Sequence, residues 1–300
     1  MRVTVAVCTW NRCELLREAL GRMARLRIPA GTTWELLVVN NRCTDATDDV
    51  IASCAGAVPV RRVYEAEPGL SNARNAAVRE ASGAYVLWTD DDTLVDPEWI
   101  AAYVDAFRRW PDAVVFGGPV TPRFMAPPPA WLERGWPIIA DAFAARDLGP
   151  VPLAFDGADN MPYGANYAIR LDEQRRHPYD PRLGVKAGRI VLGEETRVVK
   201  ALLASGLPGW WVPDARVEHR IPATRMTTRF LRRYYVGAGR TSSRVGPAED
   251  GPTILGRPRW VWKRAVLSEV KYRWGRWSSP PDAYLRHFIA ASKAWGRLLG

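Results

Sequence analysis

Ala84-Tyr85-Val86-Leu87-Trp88-Thr89-Asp90-Asp91-Asp92 is the stretch that decides the fold. A short apolar run rich in aromatic and branched residues reads as a buried strand, and it passes directly into three consecutive carboxylates. A helical pattern from Pro97 to Arg109 follows with proline at its start, then a strand over Ala113 to Gly117. Upstream, Val3, Val5 and Val7 form a strand that breaks at Thr9-Trp10-Asn11-Arg12 before a helix carrying Leu15, Leu16, Ala19, Leu20 and Met23. Leu36 to Val39 is a second strand ending in Asn40-Asn41-Arg42-Cys43-Thr44-Asp45, where Thr44 or Asp45 is placed to cap the next helix. Val60 to Tyr64 is a third, followed by an alanine-rich helix over Ser71 to Ser82. Strands alternating with helices of about ten to fifteen residues predict an α/β fold with a mostly parallel central sheet covered on both faces. Ligands of such sheets sit beyond the carboxyl ends of the strands, and three of those ends carry the polar clusters just quoted.

The middle of the chain breaks this rhythm. Pro127-Pro128-Pro129 and the prolines at 137, 150, 152 and 162 predict a long irregular stretch, interrupted by the apolar patch Trp136 to Ala145. Order is expected again in a strand-like run over Gly164 to Ile169, a helix over Glu194 to Ser205, and short strands at Trp210 to Val212 and Ala215 to His219.

With 300 residues and 47% hydrophobic content, the chain can bury a full core without disulfides. Cys8, Cys13, Cys43 and Cys54 match no paired zinc spacing, and a reducing compartment suits them. Met1 to Trp10 lacks the apolar core of an export signal, and no run approaches the roughly 18 apolar residues of a spanning helix. The expected location is the cytoplasm, either in solution or peripherally on the inner face of the membrane. Charge is unevenly placed. Arg216 to Gly300 holds eighteen Lys and Arg against five Asp and Glu, a block of +13 in a chain of net +10, so the remainder is −3. Such a block points to a polyanion, a phosphate-bearing ligand or an anionic membrane surface; the plain alternative is a solvated basic surface.

Three carboxylates at one strand end repel one another unless a cation neutralises them, and hard oxygen ligands suit Mn²⁺ or Mg²⁺ bridging a substrate's phosphates. The alternative is that Asp92 or Thr93 simply caps the next helix, although one cap does not require three carboxylates. Gly193-Glu194-Glu195-Thr196 opens a helix; acidic residues there complement the helix dipole, or supply a general base separate from the metal site. His219 follows a strand and is either a metal or diphosphate contact or an ordinary hydrogen-bonded histidine.

Taken in order, Cys8 to Arg12, Val38 to Asp45, Gly69-Leu70-Ser71-Asn72-Ala73-Arg74-Asn75, Thr89 to Asp92 and Gly193 to Thr196 resemble the motif series of family 2 glycosyltransferases, over about residues 3 to 220. The resemblance implies the GT-A nucleotide-sugar-binding fold over 1–222, with 223–300 as a basic, aromatic-rich helical extension. It also implies an inverting transfer from a nucleoside-diphosphate sugar, a UDP-sugar being favoured, to a hydroxyl of a glycan, a lipid-linked glycan or a small molecule. By the same resemblance Thr9, Asn11, Arg12, Asn40 and Glu65 line the nucleotide pocket, and Arg74 faces the base or diphosphate. Asp90 contacts the ribose beside Asp91, Asp92 holds the metal with His219 as a further ligand, and Asn166 belongs to the segment under the donor sugar. Glu195 matches the catalytic base and Glu194 its support. Two positions depart from the family pattern: aspartate is usual where Asn40 stands and frequent where Glu195 stands. An amide still offers a donor and an acceptor to a base edge, which loosens the uracil preference.

In the basic block, Trp262, Val266, Val270 and Trp274 recur every four residues with Trp277 beyond, among Lys263, Arg264, Lys271, Arg273 and Arg276. Basic, aromatic amphipathic helices suit an anionic membrane interface; packing on the catalytic body or on a second subunit as a homodimer is the alternative, and nucleic acid is not an expected partner. Two competing classes remain on sequence grounds. A nucleotidyltransferase also clusters aspartates on a parallel sheet but calls for a Gly-rich phosphate loop that Thr9 to Arg12 lacks, and a noncatalytic basic binding module leaves the acidic triplet without purpose.

Overall fold

A computed structural model describes residues 1–157, 160–186, 191–245 and 252–300. In chain order the elements are β1 (Arg2–Thr9), α1 (Cys13–Met23), β2 (Thr33–Asn40), α2 (Thr47–Ser53), β3 (Val60–Tyr64), α3 (Leu70–Glu80), β4 (Tyr85–Asp90), β5 (Thr93–Val95) and α4 (Trp99–Arg109). Then come β6 (Val115–Gly117), β7 (Val120–Phe124), α5 (Ala130–Ile139), β8 (Asn166–Arg170), α6 (Leu171–Arg176), α7 (Glu194–Ala204), β9 (Gly209–Trp211) and β10 (Val217–Ile221). The chain closes with α8 (Thr228–Val245), β11 (Thr253–Ile254), β12 (Arg257–Pro258), α9 (Arg259–Ser278) and α10 (Pro281–Leu299). They fall into two compact units, Met1–Arg123 with Ala144–Arg182 and Glu194–Arg220, and Phe124–Phe143 with Leu183–Gly193 and Ile221–Gly300.

The first unit is built on a seven-stranded sheet of order β3-β2-β1-β4-β8-β6-β9, in which β8 alone runs against the others. The near-continuous apolar runs of β1, β2 and β4 follow from burial on both faces. One face packs Val5, Leu36 and Leu87 against Leu16 and Leu20 of α1 and Trp99, Tyr103 and Phe107 of α4. On the other, Val39, Val86 and Trp88 meet Ala73, Ala76 and Ala77 of α3 and Val198 and Leu202 of α7. Tyr85 stacks on Phe107 with ring centroids 3.8 Å apart, and each such fully buried side chain stabilises the fold by about 1.5–3 kcal/mol. A smaller sheet of order β5-β10-β7 sets His219 opposite Thr93, the residue after Asp92. Three elements absent from the sequence expectation appear here: β5, β7 and α6, each six residues or fewer and too short to establish a period.

In the second unit the proline-rich stretch corrects the expectation of irregular chain. Pro129 is extended, with ψ of 148°, and ends the triple-proline run as the N-cap of α5. Pro137 lies inside that helix and takes away one backbone bond, the one its missing N–H would give to the carbonyl of Glu133. α8 and α10 cross where Gly239 meets Gly296; a Cβ on either would lie about 2.0 to 2.1 Å from a backbone oxygen of the other helix, so glycine is required for this approach. No helix among the described residues is long and apolar enough to cross a membrane.

Candidate active site

Sequential strands run from β1 outward through β2 and β3 and then resume at β4 on the other side of β1, so the order reverses between β1 and β4. A crevice opens at such a reversal beyond the carboxyl ends of the two strands. Cys8 lies beside Asp90 in register there, which brings the loop after Thr9 against the acidic triplet.

Period-two alternation along β4 aims Trp88 and Asp90 at the α3 face, while Asp91 and Asp92 leave the strand. Asp91 is 3% exposed and accepts hydrogen bonds from Thr9 Oγ1 at 2.8 Å and Arg12 Nη1 at 3.0 Å. Arg12 Nη1 also reaches Asp92 Oδ2 at 3.2 Å, and His219 Nε2 lies 3.4 Å from Asp92 Oδ1. Burial, with Asp92 and Asp90 adding charge repulsion, pushes the Asp91 carboxyl up to about 6 despite Arg12. Asp90, whose side chain is 37% exposed, is shifted upward in the same way, by burial first and then by Asp92.

The second acidic site is joined to the first through Arg74 of α3. Its guanidinium is 3% exposed, donates to Glu194 Oε1 at 3.0 Å, and stands 3.8 Å from Glu195 and 3.9 Å from Asp90. Trp88, Tyr167 and Tyr179 surround it at 5.5–5.8 Å from their ring centroids. Trp88 and Tyr167 are register partners on β4 and β8, so the sheet itself builds this aromatic box. Burial alone would lower the Arg74 pKa; Tyr167, Glu194, Tyr179 and Glu195 more than offset it and raise it. Glu194 is pushed up to about 8 by burial and by the charge of Glu195, against the pull of Arg74. Glu195 is the more open of the pair, its side chain 19% exposed against 6% for Glu194. Gly164 closes in on this group: its carbonyl accepts from Arg74 Nη2 at 3.4 Å, and a Cβ there would lie 3.2 Å from both Arg74 and Glu195.

Nine expected residues thus form one linked cluster: Thr9, Arg12, Arg74, Asp90, Asp91, Asp92, Glu194, Glu195 and His219. Of three others, Asn11 and Glu65 stand in the loops beyond β1 and β3, and Asn40 is the last residue of β2. Asn11, with φ of 52°, accepts from the Thr44 N–H at 2.7 Å, and Glu65 caps the Glu67 N–H and pairs with Arg79 at 3.0 Å. The Asn40 amide, expected to meet a base edge, instead donates to Asp48 at 2.6 Å and accepts from the Cys43 N–H at 2.7 Å. Arg74 and Asn166 both stand in buried surroundings. The Arg74 guanidinium, expected to face the base or diphosphate, has the carboxylates of Asp90, Glu194 and Glu195 and the three rings around it. Asn166 is fully buried away from the acidic cluster, accepting from Trp99 Nε1 and Tyr103 Oη and donating to the carbonyls of Pro119 and Ala215, so its whole amide is engaged within the protein. Sequence reasoning missed Asp48, Tyr167 and Tyr179; alternation along β4 was the available signal for the face on which a box could form.

The model named Glycosyl transferase family 2 matches residues 4–161. The chain is 23% identical over 248 residues to the succinoglycan biosynthesis protein ExoM of Rhizobium meliloti, covering 82% of this chain and 75% of that protein. It is 26% identical over 235 residues to the glucosyl-dolichyl phosphate glucuronosyltransferase of Haloferax volcanii, covering 74% and 70%. Among solved structures, the mannosyltransferase PcManGT of Pyrobaculum calidifontis, in complex with GDP-Man and Mn²⁺, superposes with a TM-score of 0.57 at 18% identity, covering 99% of this chain and 86% of that one. At that identity the likeness establishes the fold.

Proposed function

The chain belongs to glycosyl transferase family 2 and is a glycosyltransferase of GT-A fold, and on that premise we propose that it moves a sugar from a nucleoside diphosphate to an acceptor hydroxyl with inversion, using a divalent cation. One observation carries this reading: the end of β4, the turn after it and the start of α7 bring together five carboxylates near the sheet's reversal point, joined there by two guanidinium groups. The surplus negative charge suits a cation. Among the described residues no group of three or more His, Cys, Asp or Glu side chains converges to form a complete metal cage. Asp92 and His219, 3.4 Å apart, are the pair that would hold such a cation, hard carboxylate oxygen suiting Mn²⁺ or Mg²⁺. A bound Mn²⁺ or Mg²⁺ neutralises charge on the departing diphosphate.

The remaining roles belong to the chain's own atoms. Arg12 and Thr9 hold Asp91, which fixes the turn that aims Asp92. Asp90, the open carboxylate, accepts from the ribose hydroxyls. Glu195 takes the proton of the acceptor hydroxyl as that oxygen attacks opposite the leaving group, a contribution of about 10² to 10⁴-fold. Glu194 and Arg74 fix the position of Glu195 from beneath. A single displacement inverts the anomeric centre. PcManGT was solved with GDP-Man and Mn²⁺, which supports a sugar-nucleotide donor here; a UDP-sugar is the donor we favour. The name of the Haloferax relative supports a lipid-linked glycan among candidate acceptors. We divide the chain functionally into a catalytic domain over 1–222 and an extension over 223–300, in a cytoplasmic setting.

A thermal-shift panel of nucleoside diphosphates with and without Mn²⁺ tests the donor half. Stabilisation by one nucleotide that needs metal and disappears in Asp92→Asn is expected. Equal stabilisation of Asp92→Asn with metal present removes Asp92 from the cation, and a product retaining the donor's anomeric configuration removes the single displacement.

A further inference from the structure

We propose that the outward face of α9, together with the β11–β12 hairpin, is a docking surface for an anionic lipid bilayer. The inference concerns the second unit and stands without the catalytic assignments. Val261, Ala265, Tyr272 and Gly275 are the buried residues of α9 and share one side of the helix. At 100° per residue, Trp260, Val266, Val270, Trp274 and Trp277 fall on the opposite side, within an arc of about 120°. That arc is not core: exposure climbs along it from 40% at Trp260 through 59% at Val270 to 78% at Trp274 and 93% at Trp277. At the hairpin turn Leu255 is 85% exposed, and a groove of about 810 Å³ lined by Ile254, Trp262 and Leu267 continues the apolar surface from the turn to the helix. Apolar side chains at this density along one outward stripe mark an interaction surface rather than scattered exposure.

Charge identifies the occupant. Residues 252–278 contain seven Lys and Arg against one acidic residue, Glu269, which pairs with Arg232 at 2.8 Å and Arg273 at 3.3 Å. On the helical wheel Arg264 and Lys271 edge the apolar arc on one side and Arg273 on the other, while Arg259 and Lys263 stand within it toward the start of the helix, all five exposed. An apolar stripe interspersed with and rimmed by long basic side chains, whose stems lie along apolar surface while their charges reach outward, matches the acyl and phosphate layers of a bilayer interface, with tryptophan at the boundary. The same charge disfavours a second copy, because a two-fold contact lays this face on itself and sets like charges together.

The full chain is mixed with vesicles of phosphatidylcholine alone or with phosphatidylglycerol, and flotation is measured at low and high salt. Wild type is expected to float at least tenfold better with anionic vesicles, and less so at high salt. Trp274→Ser/Trp277→Ser and Arg264→Glu/Lys271→Glu, at exposed positions, are each expected to lose at least tenfold while keeping the wild-type Tm. Three results overturn the proposal: wild type that does not float, variants that float as wild type does, or a concentration-dependent dimer that Trp274→Ser/Trp277→Ser dissolves. Preferential binding of this face to duplex or single-stranded nucleic acid over anionic vesicles overturns it as well.

Discussion

Replacing Arg74 by methionine keeps most of the side-chain volume and deletes the charge that links both acidic sites. Glu194 then loses a partner at 3.0 Å, and Glu195 and Asp90 lose theirs at 3.8 and 3.9 Å, while three aromatic rings lose their cation. Removing one partner of a buried ion pair costs about 3–5 kcal/mol. The lower end applies near neutral pH, because Glu194 is already pushed up to about 8 and takes a proton readily once Arg74 is gone. Above that value the cost grows by about 1.4 kcal/mol per pH unit, the free energy of protonating the stranded carboxylate. About 3 kcal/mol corresponds to a fall in Tm of roughly 5 °C at pH 7 in a chain of 300 residues, and to more at pH 9. Thermal unfolding of Arg74→Met, Glu194→Gln and the double variant measures it. The double variant is expected to recover at least half of the loss, since it removes the buried carboxylate along with its partner. Arg74→Met should also lower kcat through a misplaced Glu195 while leaving donor affinity within about threefold, because carboxylates and rings surround the guanidinium. The reasoning fails if the double variant is as unstable as Arg74→Met, or if donor affinity alone collapses.

In the folded state Glu194 holds its proton to about 8, whereas the unfolded chain releases it near 4.3, so this group's stabilising contribution is full below about pH 4 and is lost as pH rises toward 8. Glu194→Gln removes that slope, and the variant's Tm relative to wild type should climb steadily from pH 5 to pH 8; a level difference returns this carboxyl to the ordinary range. Asn40→Asp places a second carboxylate where Asn40 now donates to Asp48 at 2.6 Å, in a position 2% exposed. A cost of about 1–3 kcal/mol is expected, with recovery in Asn40→Asp/Asp48→Asn, and a neutral Tm for Asn40→Asp counts against the pairing. Asn166→Ala strands two buried donors and the Ala215 carbonyl at about 1–3 kcal/mol each, the Pro119 carbonyl keeping the Val217 N–H, so the soluble yield and Tm should fall sharply while donor Kd of the folded fraction holds within about threefold. A Kd raised tenfold at unchanged Tm would put Asn166 back beneath the donor sugar.

The difference between legible and illegible residues follows from the range over which each one's role is set. β1, β2 and β4 were readable because full burial writes itself into consecutive residues, and because the polar clusters at their ends are contiguous with them. The acidic triplet needed no partner to be noticed. α5 was hidden by prolines whose usual meaning is a break; whether a proline ends a helix, caps it or sits within its last turn depends on where the helix starts, which local composition leaves open. Arg74 and Asn166 were placed near the chemistry, but their surroundings arise from contacts up to 120 residues apart. Short loop motifs mark where a ligand site must be, since strand ends on a parallel sheet converge. They do not distinguish a side chain that meets the ligand from one that holds its neighbour in place, because both kinds need the same polar chemistry at the same strand end. Burial bears on that distinction: Arg74, at 3% exposure, touches Glu194, Glu195, Asp90, the Gly164 carbonyl and three rings, so an effect of its substitution on turnover is expected to be transmitted by the positions of those groups.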